Sequence, residues 1–154
     1  MKETSLCYIE YENKILMLHR TKKENDVNEG KWIGIGGKFR KGETPQECVK
    51  REVFEETGLK PSFLYRGVVN FVSDIYEDEI MHLFTAKSHT DNVTECTEGE
   101  LRWVGKDKLL SLNMWEGDKV FLDLIKDEDE PFFNLTLTYE GDKLKNTNLT
   151  QGEI

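Results

Sequence analysis

The stretch that most constrains this chain runs from Gly37 to Leu59, GKFRKGETPQECVKREVFEETGL, and predicts a loop that leads into a capped helix. The helix is predicted to span roughly Pro45 to Thr57, with proline at the first helical position, where it is favoured. Thr44 is a suitable N-cap, and Glu47 completes a T-x-x-E capping box. Gly58 is the residue type expected just past the last turn, so both ends of the helix are defined by local signals.

One side of this helix is unusually acidic. At about 100° per residue, Glu52, Glu55 and Glu56 fall within an arc of roughly 100°, beside the apolar Val49 and Val53. Glu52 and Glu56 form a like-charged i,i+4 pair, which destabilises an isolated helix by a few tenths of a kcal/mol. A divalent cation between the carboxylates would remove that repulsion.

Length and charge limit the classes of function. A chain of 154 residues suits a single domain over residues 1–154, and no change in composition marks a second one. Acidic residues number 30 against 21 basic ones, and the net charge of −9 argues against binding of a nucleic acid polymer. We therefore expect a small-molecule partner, and an anionic one would need a metal ion to neutralise it.

Cysteine usage predicts the compartment. Cys7, Cys48 and Cys96 lie far apart and outside any C-x-x-C pair, which is typical of reduced, non-catalytic thiols. We see no signal peptide and no apolar run long enough to span a membrane. The sequence therefore predicts a cytoplasmic protein without membrane contacts.

The remaining chain alternates between strand-like and helical patterns. A second, amphipathic helix is predicted at roughly Lys119 to Lys126, after a short helical turn at Lys106 to Leu110. A hairpin is predicted around Glu140-Gly141-Asp142 in the segment after Pro131. The other predicted strands are Ser5 to Tyr11, Lys14 to Arg20, a short one within Lys31 to Lys38, Phe63 to Ser73, Ile80 to Lys87 and Leu101 to Val104. Strands on both sides of a central helix give a mixed α+β domain.

Two features ahead of the acidic helix are candidates for phosphate binding. Lys23 lies in the polar loop Thr21 to Gly30 and could contact a phosphate, although a solvated loop is the commoner explanation for an exposed lysine. Gly34, Gly36 and Gly37 are dense enough to indicate close backbone approach, as a phosphate or metal site would require.

The complete spacing from Gly37 to Leu59 is G-x5-E-x7-R-E-U-x-E-E-x-G-U, where U is an apolar residue. Seven fixed letters would coincide by chance on the order of once in 10⁸ starting points. This chain resembles the Nudix hydrolases at every position of that pattern. The resemblance implies an α/β/α sandwich, with a mixed β-sheet between helices and a C-terminal β-hairpin. It also implies hydrolysis of a nucleoside diphosphate linked to a further group.

The resemblance also implies a metal site. Glu52, Glu55 and Glu56 would bind Mg²⁺ or Mn²⁺, with the backbone carbonyl near Gly37 as a further ligand, because hard cations prefer oxygen ligands. Bound metal lowers the pKa of an attacking water. One of the three glutamates, or a loop acid such as Glu98, would deprotonate that water, and the spacing does not assign the base.

Two charged residues have supporting roles in the same pattern. Arg51 would order the acids together with Glu43, and it can also reach Glu47 or Glu55 along the helix, so a purely structural salt bridge is the alternative. Related enzymes place a further metal-binding or base-like acid at the position of Glu98. Glu100, or a plain solvated glutamate, is the alternative there.

Substrate choice depends on residues outside the pattern. The segments Lys31 to Lys38 and Met114 to Asp118 resemble the MutT-type subgroup, which removes oxidised purine nucleotides such as 8-oxo-dGTP. By that similarity Trp115 would stack on the purine and Asp118 would hydrogen-bond to its edge, with a core aromatic as the alternative for Trp115. The candidate substrate-binding set also includes Lys38, Phe71 and Met81, of which the last two could equally be core residues.

Two positions depart from that subgroup. Ile33 stands where the animal enzyme has a polar amide, and Gly117-Asp118 stands where it has paired aspartates. A hydrogen bond that recognises the base is therefore missing or replaced. The alternatives are another Nudix substrate, namely a dinucleoside polyphosphate, a nucleotide sugar or an ordinary dNTP, or a nucleotide-sensing module without turnover. The protein is expected to be a monomer or a homodimer.

Overall fold

The computed structural model describes residues 1–21 and 26–151, so Lys23 lies outside the described residues. Two α-helices, α1 (Pro45–Thr57) and α2 (Glu116–Ile125), and a short 3₁₀ helix (Lys106–Ser111) accompany a large sheet. The strands of that sheet are β1 (Lys2–Tyr11), β2 (Lys14–Arg20), β3 (Trp32–Ile33), β4 (Ile35–Lys38), β5 (Ser62–Ser73), β6 (Glu79–Lys87), β7 (Gly99–Gly105), β8 (Phe133–Glu140) and β9 (Lys143–Gln151).

The sheet is open and mixed. Its strand order is β3-β2-β1-β6-β5-β8-β9, with β4 also paired to β1 and β7 to β2. The pairs β1–β6 and β5–β8 are parallel, and the other pairs are antiparallel. The terminal pair β8–β9 is the predicted hairpin, so the α+β class and its C-terminal hairpin are confirmed.

Strand alternation gives the sheet two apolar faces, one for each helix. Cys7 and Ile9 of β1 pack with Val49 and Val53 of α1 on one side. The intervening residues of β1 face the other side, where Phe121 of α2 is fully buried in the second cluster. The two helices therefore lie on opposite faces of the sheet, as the sandwich arrangement requires.

The signals at the ends of α1 act as predicted. The Thr44 hydroxyl accepts from the Glu47 amide at 3.1 Å, and the Glu47 carboxylate accepts from the Thr44 amide at 2.9 Å. Gly58 ends the helix with a φ of 78°. The first hairpin also matches, because Glu12 and Asn13 both have positive φ, as a tight two-residue turn demands.

Helix α2 begins earlier than the sequence predicts. It starts at Glu116 instead of Lys119, with Trp115 as an N-cap that makes no side-chain capping bond. The apolar period begins only at Val120, and the first turn contains glycine and two acids, so the pattern gives no sign of this turn. The correction places Asp118 inside the helix, where its amide donates to the Trp115 carbonyl at 3.0 Å.

The fold also bears on the state of the cysteines and on the prediction that no segment spans a membrane. Cys7, Cys48 and Cys96 are buried free thiols. Among the helices that the structure describes, none is long and apolar enough to cross a membrane.

Candidate active site

A cavity of about 780 Å³ extends from the acidic helix to the N-terminus of α2. This size suits a nucleotide-sized ligand. At one end, which we call the acid end, the lining includes Gly37, Arg51, Glu52, Glu55 and Glu98. At the other end, the base end, it includes four more residues predicted from the sequence, namely Phe71, Met81, Trp115 and Asp118. Lys38 also lines the cavity.

Arg51 organises the acid end. Its guanidinium binds Glu43 through two hydrogen bonds, with Nε to Oε2 at 2.6 Å and Nη2 to Oε1 at 2.8 Å. Nη1 donates to Glu52 at 2.8 Å and to Glu55 at 3.0 Å. The hydrogen bonds from Arg51, followed by one from the Arg40 amide, lower the pKa of Glu43 to about 2. Of the two helical partners considered for Arg51, the structure selects Glu55, because Glu47 is used in the capping box.

Arg40 also binds the acids of this end, which was not predicted from the sequence. Its Nη2 pairs with the second oxygen of Glu55 at 3.2 Å, and its amide donates to Glu43 at 2.7 Å. The Arg40 side chain is largely exposed, so it can leave Glu55 at little energetic cost. The only available sequence signal was a cation within the loop before the helix.

Glu56 lies behind the cavity wall rather than on it. Burial, followed by a hydrogen bond with Glu98 and the negative charges of Glu52 and Glu98, raises the pKa of Glu56 to about 9, while Arg20 opposes the rise. Arg20 is itself buried and pairs with Asp26 at 2.8 Å and with Glu98 at 3.8 Å. Glu98 is therefore the loop acid placed at this site, whereas Glu100 is exposed and pairs with Arg102.

The acid end fits a divalent cation by its chemistry. Within residues 1–21 and 26–151, no three acidic, histidine or cysteine side chains are already gathered as a metal site. Arg51 holds Glu52 and Glu55 in the structure. The available donors are carboxylates and the Gly37 carbonyl, which are hard oxygen ligands. A Cβ on Gly37 would lie 2.6 Å from the Glu52 carboxyl carbon, so only glycine leaves this space open. One oxygen of Glu56 is buried without a hydrogen-bond partner among the described residues.

Trp115 forms a wall of the base end. Its indole Nε1 donates to Asn28 Oδ1 at 2.8 Å, and the Lys31 ammonium lies 4.7 Å from its ring centroid. The Trp115 and Tyr139 rings are nearly perpendicular, with 5.4 Å between their centroids. These contacts hold a half-buried indole that both lines the cavity and packs against the core cluster on the α2 face.

Asp118 is a buried carboxyl that faces the cavity. It is 4% exposed, and its side chain makes no hydrogen bond or ion pair with any residue that the structure describes. Burial, together with the negative charge of Glu79, raises its pKa to about 8, and Lys31 opposes the rise. Near neutral pH the group is therefore largely protonated, and it can both donate and accept a hydrogen bond.

A cluster of three polar residues at the base end was not predicted from the sequence. The Thr4 hydroxyl donates to Glu79 at 2.5 Å, and the Lys2 ammonium lies 3.5 Å from the other Glu79 oxygen. All three residues line the cavity. Lys2 and Glu79 are paired directly by the parallel register of β1 and β6, which no local pattern reveals.

Comparisons with known proteins agree with this geometry. A family model described as the NUDIX domain matches residues 2–125. The chain is 30% identical over 147 residues to an uncharacterized Nudix hydrolase, YvcI, of Bacillus subtilis, covering 90% of this chain and 87% of the relative. It is 34% identical over 106 residues to an oxidized purine nucleoside triphosphate hydrolase of Danio rerio, covering 67% of each chain. The crystal structure of a MutT protein from Bacillus halodurans superimposes with a TM-score of 0.84 at 27% identity, covering 97% of both chains.

Proposed function

Because the chain belongs to the Nudix hydrolase family, we propose that it hydrolyses oxidised purine nucleoside triphosphates such as 8-oxo-dGTP. The products would be a nucleoside monophosphate and pyrophosphate, and the metal would be Mg²⁺ or Mn²⁺. Members of this family generally use divalent metal ions and act on small nucleotide substrates. In this role the protein would remove damaged nucleotides from the cytoplasmic pool, as a single domain acting as a monomer or homodimer.

The observation that carries the proposal is the buried carboxyl of Asp118, which has no partner among the described residues and lies on the same cavity as the indole of Trp115. A buried polar group without a protein partner destabilises the fold unless a ligand satisfies it. A purine offers both partners at once, since its flat face can stack on an indole and its edge carries donors and acceptors. The acids of α1 line the same cavity, so a base bound at Trp115 directs its phosphates towards them.

The chain's own residues divide the work between the two ends. Glu52, Glu55, Glu56 and the Gly37 carbonyl, with Glu98, would hold the metal, which when bound neutralises the polyphosphate and acidifies water. Arg51 orients Glu52 and Glu55 through its anchor on Glu43, and Lys38 would neutralise phosphate charge. Phe71 and Met81 would complete the apolar floor around the base. Lys23 remains a proposed phosphate contact from the segment outside the described residues.

A panel of nucleotides tests the proposal directly. The wild-type protein is assayed with Mg²⁺ on 8-oxo-dGTP, 2-hydroxy-dATP, dGTP and diadenosine polyphosphates, with pyrophosphate and phosphate release measured separately. We expect pyrophosphate release and a higher kcat/KM for the oxidised purines. If 8-oxo-dGTP shows no advantage over dGTP, the role in removing oxidised nucleotides fails. A preference for dinucleoside polyphosphates would move the chain to another substrate class of the family.

A further inference from the structure

Gly117 and Tyr139 form a matched pair at the base end. The Gly117 amide donates to the Tyr139 hydroxyl at 2.6 Å. A Cβ built on Gly117 would lie 2.7 Å from that hydroxyl and 2.6 Å from a methyl carbon of Leu137. The tyrosine therefore occupies the space into which a side chain at position 117 would project.

Tyr139 reaches this place from a distant part of the sequence. It lies on β8, beyond residues 2–125 that match the family domain, and the parallel register pairs it with Ser73 of β5. Tyr139 lines the cavity, although only 7% of its surface is exposed. Its ring packs against the ring of Trp115. The hairpin thus adds a polar group to the same wall that holds Trp115 and Asp118.

The Tyr139 hydroxyl can still donate a hydrogen bond. A phenol has one donor and can accept, and here the acceptor side is used by Gly117. In the part of the chain that the structure describes, no acceptor is recorded for the Tyr139 proton. Burial raises the pKa of Tyr139, and the nearby Asp118 and Glu116 add to the rise, so the phenol stays protonated over the working pH range. The cavity wall therefore holds a hydroxyl donor for which the described residues provide no acceptor.

We propose that Tyr139 is a specificity-determining residue whose hydroxyl donates a hydrogen bond to an exocyclic oxygen of the bound purine. The inference rests on the proposed function and deepens it. Oxidised and ordinary guanine bases carry such oxygens, and a site built to bond them rejects an analogue that lacks them, because the buried donor is then left unpaired. Tyr139 would supply the recognition that a side chain at position 117 cannot.

The test is Tyr139→Phe, which keeps the ring against Trp115 and Leu137 and removes only the hydroxyl. Binding of 8-oxo-dGMP, dGMP and 2-aminopurine deoxyriboside monophosphate is measured by calorimetry in the absence of metal. The last ligand keeps the purine ring and the 2-amino group but has no exocyclic oxygen. We expect the variant to bind the better of the two oxygen-bearing ligands roughly 5- to 20-fold more weakly, and 2-aminopurine within about twofold of wild type.

The comparison between ligands separates recognition from structure. Tyr139 also caps the first turn of α2, and loss of that cap would weaken all three ligands by the same factor. A uniform loss, or no loss, overturns the inference while leaving the proposed function standing. A wild-type protein that binds none of the three ligands overturns both. Tyr65→Phe is the matched control, because Tyr65 lies in the cluster on the α1 face, outside the cavity lining, and its hydroxyl bonds to His82; we expect it to leave the binding profile unchanged.

Discussion

The acid end and the base end of the cavity are built in different ways. At the acid end, Arg51 binds Glu43, Glu52 and Glu55, and all four residues come from one loop and one helix. At the base end, Trp115 at the N-cap of α2 and Asp118 in its first turn lie beside residues from four separate strands, β1, β5, β6 and β8. The Arg51 network is local in sequence and strongly charged, and Glu98 joins the acid end from a distant loop. The base end is assembled by the sheet and contains buried polar groups, such as the carboxyl of Asp118, that have no partner among the described residues.

Under the proposed function, this contrast would divide chemistry from selectivity. The acid end would interact with the polyphosphate, which the candidate substrates share, so changes there should affect all nucleotides alike. The base end would interact with the part that differs between substrates. Three experiments test this division, and they are ordered by the size of the expected effect.

The largest effect is expected from Glu55→Gln or Glu56→Gln. Each removes a carboxyl group that would bind the metal while keeping the side-chain shape, so the fold should persist and Mg²⁺-dependent turnover should fall by roughly 10²- to 10⁴-fold. The loss should be the same factor for every nucleotide in the panel, measured as pyrophosphate release. Glu47→Gln is the control, since glutamine also completes a capping box and Glu47 is exposed. Wild-type rates in both test variants would rule out the metal-site assignment.

Trp115→Ala should give a smaller, base-dependent effect. Loss of stacking costs about 1–3 kcal/mol per base, which corresponds to a rise in KM of roughly 5- to 150-fold for purines with little change in kcat. Trp103→Ala is the control, because Trp103 packs on Tyr11, donates to the Asp91 carbonyl and lies outside the cavity lining. An unchanged KM together with a lower free energy of unfolding would mark Trp115 as a packing residue. An equal rise in KM for purine and pyrimidine nucleotides would contradict the division of roles between the two ends.

Asp118→Asn should change the pH dependence of stability. The folded pKa of Asp118, about 8, lies above its ordinary value near 3.8, so between these pH values the folded state binds a proton that the unfolded state does not. The free energy of unfolding therefore falls as pH rises through this window. The variant lacks this titration, and from pH 5 to pH 9 it should lose less stability than wild type, by on the order of a few kcal/mol.

Urea unfolding with a chelator present measures this difference. Glu56 also titrates with a raised pKa, but it is unchanged in both proteins and drops out of the comparison. Parallel curves for the two proteins would mean that Asp118 is already ionised in the fold. The control is Asp123→Asn, since Asp123 is exposed on α2 and pairs with Lys126 at its surface.

The same contrast explains which parts could be predicted from the sequence. Helix α1 was predicted from Pro45 to Thr57 with correct ends because its caps are local signals. The start of α2 was missed because Trp115 caps it without a side-chain bond and its first turn has no apolar residue. Trp115 and Asp118 were found through a resemblance, and the structure places both on the cavity. Tyr139 and Glu79 reach the cavity through parallel pairings of distant strands, which neither composition nor periodicity reports.

The parallel strand pairings also affect the order in which parts of the protein fold. The pairing of β1 with β6 joins Lys2 to Glu79, and that of β5 with β8 joins Gly67 to Phe133. Contacts so distant along the chain form slowly, because the entropy lost in closing the loop comes before any contact energy is gained. The capped helix and its Arg51 network need only residues 38–58 and can form early. During refolding, the contacts of Trp115 with the sheet should therefore reach their native state only after helix α1 has formed.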